Sequence, residues 1–182
     1  MYPGFLYDAG ITVSGPIRGI LSPGPGVFGP ATTAMEVDVE REALTAIQPL
    51  VDSISTNLTT FSAHRGKLIF YHGDSDPWFS PLDTFQYYKE MAADNGGLDA
   101  VSKWSQFYFV PGMGHCGGGP GLDQFDFLGA MAKWVEKGIA PPSVVATGNA
   151  FPGRSRPLCP YPKHAHYKGT GDTEKATNFE CR

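Results

Sequence analysis

Two stretches of the chain repeat one hydrophobic pattern. Lys67-Leu68-Ile69-Phe70-Tyr71 is a short apolar run after a glycine, the pattern of a strand buried on both faces. A polar loop, His72 to Phe79, follows it. Ser80-Pro81-Leu82-Asp83 then opens a helix: Ser80 can cap it, proline suits its first turn, and Asp83 completes a capping-box-like pattern. Phe85, Tyr88, Met91 and Ala92 recur at helical spacing as its apolar stripe, and Asn95-Gly96-Gly97 ends it. The pattern returns with a strand over Ser105 to Val110, a glycine-rich loop over 111–119, and a helix from about Asp123 to Lys137. That helix has Phe127, Leu128, Met131, Trp134 and Val135 as its expected buried face, and Gly138 and Pro141-Pro142 stop it. Alternation of strand and helix predicts a parallel βαβ unit with a right-handed crossover. Both loops then leave the carboxyl ends of neighbouring strands, the edge where open α/β sheets build their sites.

The flanks differ in texture. Residues 1–34 are rich in glycine and proline and show no convincing period. Glu36 to about Val51 favours a helix, with Val39, Ala43, Ala46, Ile47 and Leu50 at helical spacing and Pro49 limiting its end. Residues 143–182 return to proline-rich, irregular sequence. Much of the chain's 23 glycines and 16 prolines sits in these flanks, as expected of loop-rich segments around a compact α/β middle.

Composition removes several classes of function. With 182 residues, 41 % hydrophobic and 18 % charged, the chain can bury a real core. A net charge of −4 and the lack of any Lys/Arg cluster argue against a nucleic-acid partner. No apolar run approaches the roughly 20 residues that cross a membrane, and Met1-Tyr2-Pro3-Gly4 has neither the basic nor the apolar region of a secretory signal.

The chemistry concentrates on the two loops. Asp76, in His72-Gly73-Asp74-Ser75-Asp76-Pro77, places a carboxylate just beyond a buried strand, where it can fix the tautomer of an imidazole. His115 lies beyond the next strand, between residues that let the backbone turn sharply. Acid then histidine on successive strand ends is the second half of a Ser…Asp…His order. Taken singly, Asp76 reads more readily as a turn cap and His115 as an ordinary loop histidine; their joint placement favours catalysis. Asp74 competes for the acid role, and Pro77, which restricts Asp76 to extended backbone, separates the two only weakly.

Gly66 to Gly73, Ser75-Asp76-Pro77 and Val110-Pro111-Gly112-Met113-Gly114-His115-Cys116-Gly117-Gly118-Gly119-Pro120 resemble the tannase and feruloyl esterase family. So do Arg156 to Pro162, Gly169 to Asp172 and the terminal Phe179-Glu180-Cys181, so the resemblance covers roughly residues 54–182. It implies the C-terminal part of an α/β-hydrolase fold, the last strand–helix pairs of a parallel sheet, within a secreted serine esterase that cleaves esters of aromatic acids such as gallate and ferulate. On this reading residues 1–50 end a lid, 51–142 belong to the catalytic domain, and 143–182 form an irregular tail closed by a disulfide. Asp76 matches the triad acid and His115 the base. Cys116 matches a cysteine that bridges to one just before the nucleophile, and Cys159 and Cys181 match a second, local disulfide.

One departure is large. The family's nucleophile lies in a Gly-Cys-Ser-x-Gly-Gly context, yet here no serine follows a cysteine and no Gly-x-Ser-x-Gly occurs. The acidic calcium loop of many family lids is also missing, so no cofactor is expected within these residues, and any lid calcium would belong to a preceding part. Two strands cannot close a hydrolase sheet, and with three cysteines one is either a free thiol or finds its partner outside the chain. The expectation is a piece of a longer esterase, partnered by its missing N-terminal portion and a small aromatic ester, and inactive alone. Two other readings stay open: a different α/β hydrolase, of peptidase or dienelactone type, and a non-catalytic remnant. A zinc site of Cys159, His164, His166 and Cys181 is conceivable, though its spacings fit no common ligand pattern.

Overall fold

The computed structural model describes residues 55–182. The glycine-rich stretch 1–34, the helix expected over Glu36 to Val51 and the whole of the expected lid, residues 1–50, lie outside the described residues. After a short helix α1 (Thr59–Ala63), strand β1 (Leu68–Gly73) leads into α2 (Pro81–Asp94), the short α3 (Leu98–Val101) and β2 (Ser105–Val110). The two strands pair in parallel, from Leu68 opposite Ser105 to Gly73 opposite Val110. The next helix is α4 (Phe127–Lys137).

Period-two alternation divides the sheet between two cores. Leu68 and Phe70 of β1, with Phe107 and Phe109 of β2, pack toward α2 and α3 against Tyr88, Met91, Val101 and Trp104. Ile69 of β1, with Tyr108 and Val110 of β2, joins the opposite core with Met113, Leu122 and Phe127. Tyr71 stacks on Phe127 at 5.1 Å between ring centroids, yet remains half exposed, so β1 is less covered than its apolar run predicts. Its other edge pairs with no strand among the described residues.

The caps explain where the helices begin. Ser80 Oγ accepts the Leu82 N–H at the start of α2, as its sequence predicts. Asn95 closes that helix by donating from Nδ2 to the Met91 carbonyl at 2.7 Å. Helix α4 starts four residues later than the pattern suggests. Asp126 is its cap, accepting from the Gly129 N–H at 2.7 Å, while Asp123 is spent on the preceding loop. Its expected buried face is also narrower: Phe127 and Trp134 are buried, but Leu128 is 82 % and Val135 62 % exposed. These two lie about 100° round the helix from Phe127 and Trp134, one residue on in each case.

The tail is more regular than its prolines imply. Strand β3 (Val144–Ala146) pairs antiparallel with β4 (Arg156–Leu158), and β5 (Ala165–Tyr167) with β6 (Phe179–Cys181). Val144, Ala146 and Leu158 enter the same core as Tyr108 and Val110. Cys159 and Cys181 are bridged, with Cα atoms 5.5 Å apart, which also takes both sulfurs out of the zinc alternative. The bridge closes a loop with a sequence separation of 22. Replacing both cysteines by serine is expected to cost about 3 kcal/mol through lost loop closure, read as a lower urea midpoint. An unchanged midpoint would mean that the ribbon pairs order the tail unaided.

Candidate active site

The two loops expected to carry chemistry meet above the carboxyl ends of β1 and β2. Backbone hydrogen bonds stitch them together: the Asp74 N–H donates to the Val110 carbonyl at 3.1 Å, and the Ser75 N–H to the Met113 carbonyl at 3.1 Å. Met113, two residues before His115, is buried in the core beneath this loop. Farther along, Asp123 Oδ2 accepts the Gly118 N–H at 2.6 Å and ties down the glycine-rich turn after the histidine.

This frame brings Asp76 and His115 together. His115 Nδ1 lies 2.8 Å from Asp76 Oδ2. The carboxylate is almost fully buried, with its side chain 1 % exposed, whereas the His115 ring is 43 % exposed. The second oxygen, Oδ1, accepts the N–H groups of Trp78 at 2.8 Å and Phe79 at 3.1 Å. Burial works to raise the Asp76 carboxyl, but the His115 hydrogen bond, the two backbone N–H groups and the charge of His115 outweigh it and hold the pKa at about 2. Asp74 makes no side-chain hydrogen bond among the described residues, so Asp76 is the carboxylate that meets the ring.

A carboxylate held this low is a stability term with a definite sign. Its folded pKa lies below the unfolded value, so the stabilisation is complete above about pH 4 and disappears as pH falls through about 2. Asp76→Asn is expected to lower stability by about 2 kcal/mol at neutral pH. Urea unfolding of both proteins should show that gap closing between pH 4 and pH 2. A gap of the same size at pH 2 would assign the loss to packing instead of charge.

Asp76 holds a second imidazole, which the sequence reading did not single out. His72 Nε2 lies 3.0 Å from the same Oδ2, and its Nδ1 lies 2.8 Å from Thr84 Oγ1. Both His72 nitrogens are engaged, whereas His115 keeps Nε2 without a hydrogen bond among the described residues. His115 is therefore the imidazole able to exchange a proton with a bound molecule. Phe79 lies against its ring at 4.8 Å between centroids, and Trp78 and Phe79 are both partly exposed. The spacing of His72 and Asp76, four residues across a strand end, was the available signal for this contact. Cys116, next to the histidine, is exposed and unpaired among the described residues.

Fold and site together define an α/β protein with an imidazole–carboxylate pair at the carboxyl edge of its parallel sheet. The chain belongs to the tannase and feruloyl esterase family, whose model matches residues 29–182. It is 45 % identical over 133 residues to a mono(2-hydroxyethyl) terephthalate hydrolase of Piscinibacter sakaiensis, covering 70 % of this chain and 21 % of that protein. It is 32 % identical over 149 residues to feruloyl esterase B of Aspergillus niger, covering 72 % of this chain and 29 % of that protein. The crystal structure of an esterase from Aspergillus oryzae superposes with a TM-score of 0.71 at 26 % identity, over 91 % of this chain and 36 % of the other. The chain thus spans about a fifth to a third of the length of the first curated relatives it matches.

Proposed function

We propose that this chain supplies the acid and base of a serine carboxylic ester hydrolase of α/β-hydrolase type, acting on esters of aromatic acids. The observation that carries the reading is the buried Asp76 carboxylate holding His115 by Nδ1, with Nε2 left for a reacting group. His115 Nε2 takes the proton of a serine hydroxyl as the serine attacks the ester carbonyl. Asp76 accepts the Nδ1–H, fixes the tautomer and stabilises the imidazolium. The proton then passes from Nε2 to the departing alcohol, and water releases the acid by the same route in reverse.

The nucleophile and its oxyanion donors lie outside these 182 residues on this reading, since no serine here follows a cysteine or stands in Gly-x-Ser-x-Gly. Cys116, beside the base, is then free to bridge to the cysteine preceding that serine. The Cys159–Cys181 disulfide supports an oxidising, extracellular compartment. Ferulate and mono(2-hydroxyethyl) terephthalate, named by the relatives, share a planar aromatic acyl part, and the exposed Phe79 ring against His115 suits such a ring.

The test is turnover of methyl gallate, methyl ferulate and mono(2-hydroxyethyl) terephthalate. The 182-residue chain alone is expected to show background rates. Joined to an N-terminal portion bearing Gly-Cys-Ser-x-Gly-Gly, it is expected to hydrolyse at least one. Hydrolysis by the chain alone, blocked by a serine-directed inhibitor, would place the nucleophile inside it. Failure of the joined protein on all three esters would overturn the reading.

A further inference from the structure

We infer that His72 is a positioning residue for Asp76, a buried second imidazole that fixes the carboxylate on which His115 depends; the inference rests on the acid–base reading above. The strand alternation dictates its placement. Leu68 and Phe70 face α2, and His72, two residues on, falls on the same side, where Thr84 waits in the first turns of that helix. The side chain is 12 % exposed, far less than that of His115, so it is poorly placed to touch a substrate.

The hydrogen-bond inventory sets the tautomer. An ionised carboxylate only accepts, so His72 must carry its proton on Nε2 to meet Asp76 Oδ2 at 3.0 Å. A neutral ring then offers a lone pair at Nδ1, and the Thr84 hydroxyl donates to it at 2.8 Å. Thr84 could have returned its hydroxyl to the carbonyl one turn back, as threonines in helices do; it is committed to His72 instead. The result is a chain of three donors that ends on one oxygen: Thr84 to His72, His72 to Oδ2, and His115 to the same Oδ2. The Trp78 and Phe79 N–H groups pin Oδ1. With both oxygens anchored, the carboxylate cannot rotate away from His115, and a shift of its acceptor of even an ångström would misalign the base.

Three variants and two readouts test this. In the 182-residue chain, imidazole nitrogen chemical shifts at neutral pH should report His72 with its proton on Nε2 and a lone pair on Nδ1. The same spectra should show His115 protonated on Nδ1 and bonded to a carboxylate. In the joined, ester-hydrolysing protein, His72→Phe keeps the ring's bulk but removes the donor. It should lower kcat on the order of 10- to 100-fold with KM within about twofold. His72→Gln, which retains an N–H near the Nε2 position, should recover most of that loss, and Thr84→Val should lower kcat more mildly. Should His72→Phe fail to fold, the Gln and Val variants still decide the matter through the tautomer and kcat.

A His72 proton on Nδ1, or wild-type kcat in His72→Phe, would overturn the inference. So would equal losses in His72→Phe and His72→Gln, which mark a packing role. If the joined protein hydrolyses no ester while His72→Phe still frees His115 from its carboxylate in the spectra, the positioning role stands and the esterase reading falls.

Discussion

His115→Ala should remove nearly all ester hydrolysis from the joined protein, on the order of 10⁵-fold or more in kcat. Among the described residues, no other group at this site is placed to substitute for it. His72, the nearest second imidazole, has Nε2 on Asp76 and Nδ1 on Thr84, so neither nitrogen is available to a serine hydroxyl. Asp76 itself is 1 % exposed and held ionised at about 2, too weak a base and too enclosed to take that proton. Asp76→Asn should cost roughly 10⁴-fold, because an amide that donates to His115 Nδ1 stabilises the wrong tautomer and offers the imidazolium no charge. The two effects should not add: the double variant is expected to be about as slow as His115→Ala, since the carboxylate acts only through the ring. Initial rates on methyl ferulate check all three proteins. A His115→Ala enzyme retaining a tenth of wild-type kcat would remove His115 from the role of base.

Much of this arrangement was legible because it is local. The apolar runs marked both strands, β2 to the residue, and Ser80-Pro81 marked the start of α2 through an oxygen that can accept from Leu82. The order of Asp76 and His115 on successive strand ends foretold their meeting, because parallel strands put their carboxyl ends side by side. What escaped the sequence was competition for partners. Asp123 and Asp126 have the same capping chemistry, and only the fold shows that Gly118 claims the first and leaves α4 to begin at the second. Leu128 and Val135 fit the helical period as well as Phe127 and Trp134 do, but only the stripe of Phe127 and Trp134 is buried. His72 reads as part of a strand-end loop, whereas it extends β1, and the parity of that extension turns it onto Thr84 and Asp76. The short β3–β4 and β5–β6 ribbons are three residues per strand, too short for alternation to register among prolines.

The junction of the two loops that carry Asp76 and His115 leaves no room for a methyl group at Gly73, and Gly73→Ala should therefore separate that carboxylate from the ring. A Cβ built there would meet the Met113 carbonyl oxygen at 2.3 Å and that of Gly114 at 2.6 Å. Neither contact is with a flexible side-chain end that could swing aside. Both atoms belong to the backbone that carries His115, and the Met113 oxygen already accepts the Ser75 N–H. Relief requires the 111–115 segment to lift off β1, which strains its packing through Met113 and breaks the Ser75 bond. The expected cost is about 3 kcal/mol, at the upper end of ordinary overpacking. Activity should fall further than stability alone explains, on the order of 100-fold in kcat in protein that remains folded, since the lift carries the ring away from Asp76. Gly138→Ala is the control. Gly138 caps α4 at a φ of 68° with open space around it, so alanine there should cost about 1 kcal/mol from backbone strain alone and leave kcat unchanged. Urea midpoints and single-substrate kinetics on the two variants separate the effects. A Gly73→Ala protein as stable and as fast as wild type would show that the histidine loop is not held against β1 in the way the backbone contacts imply.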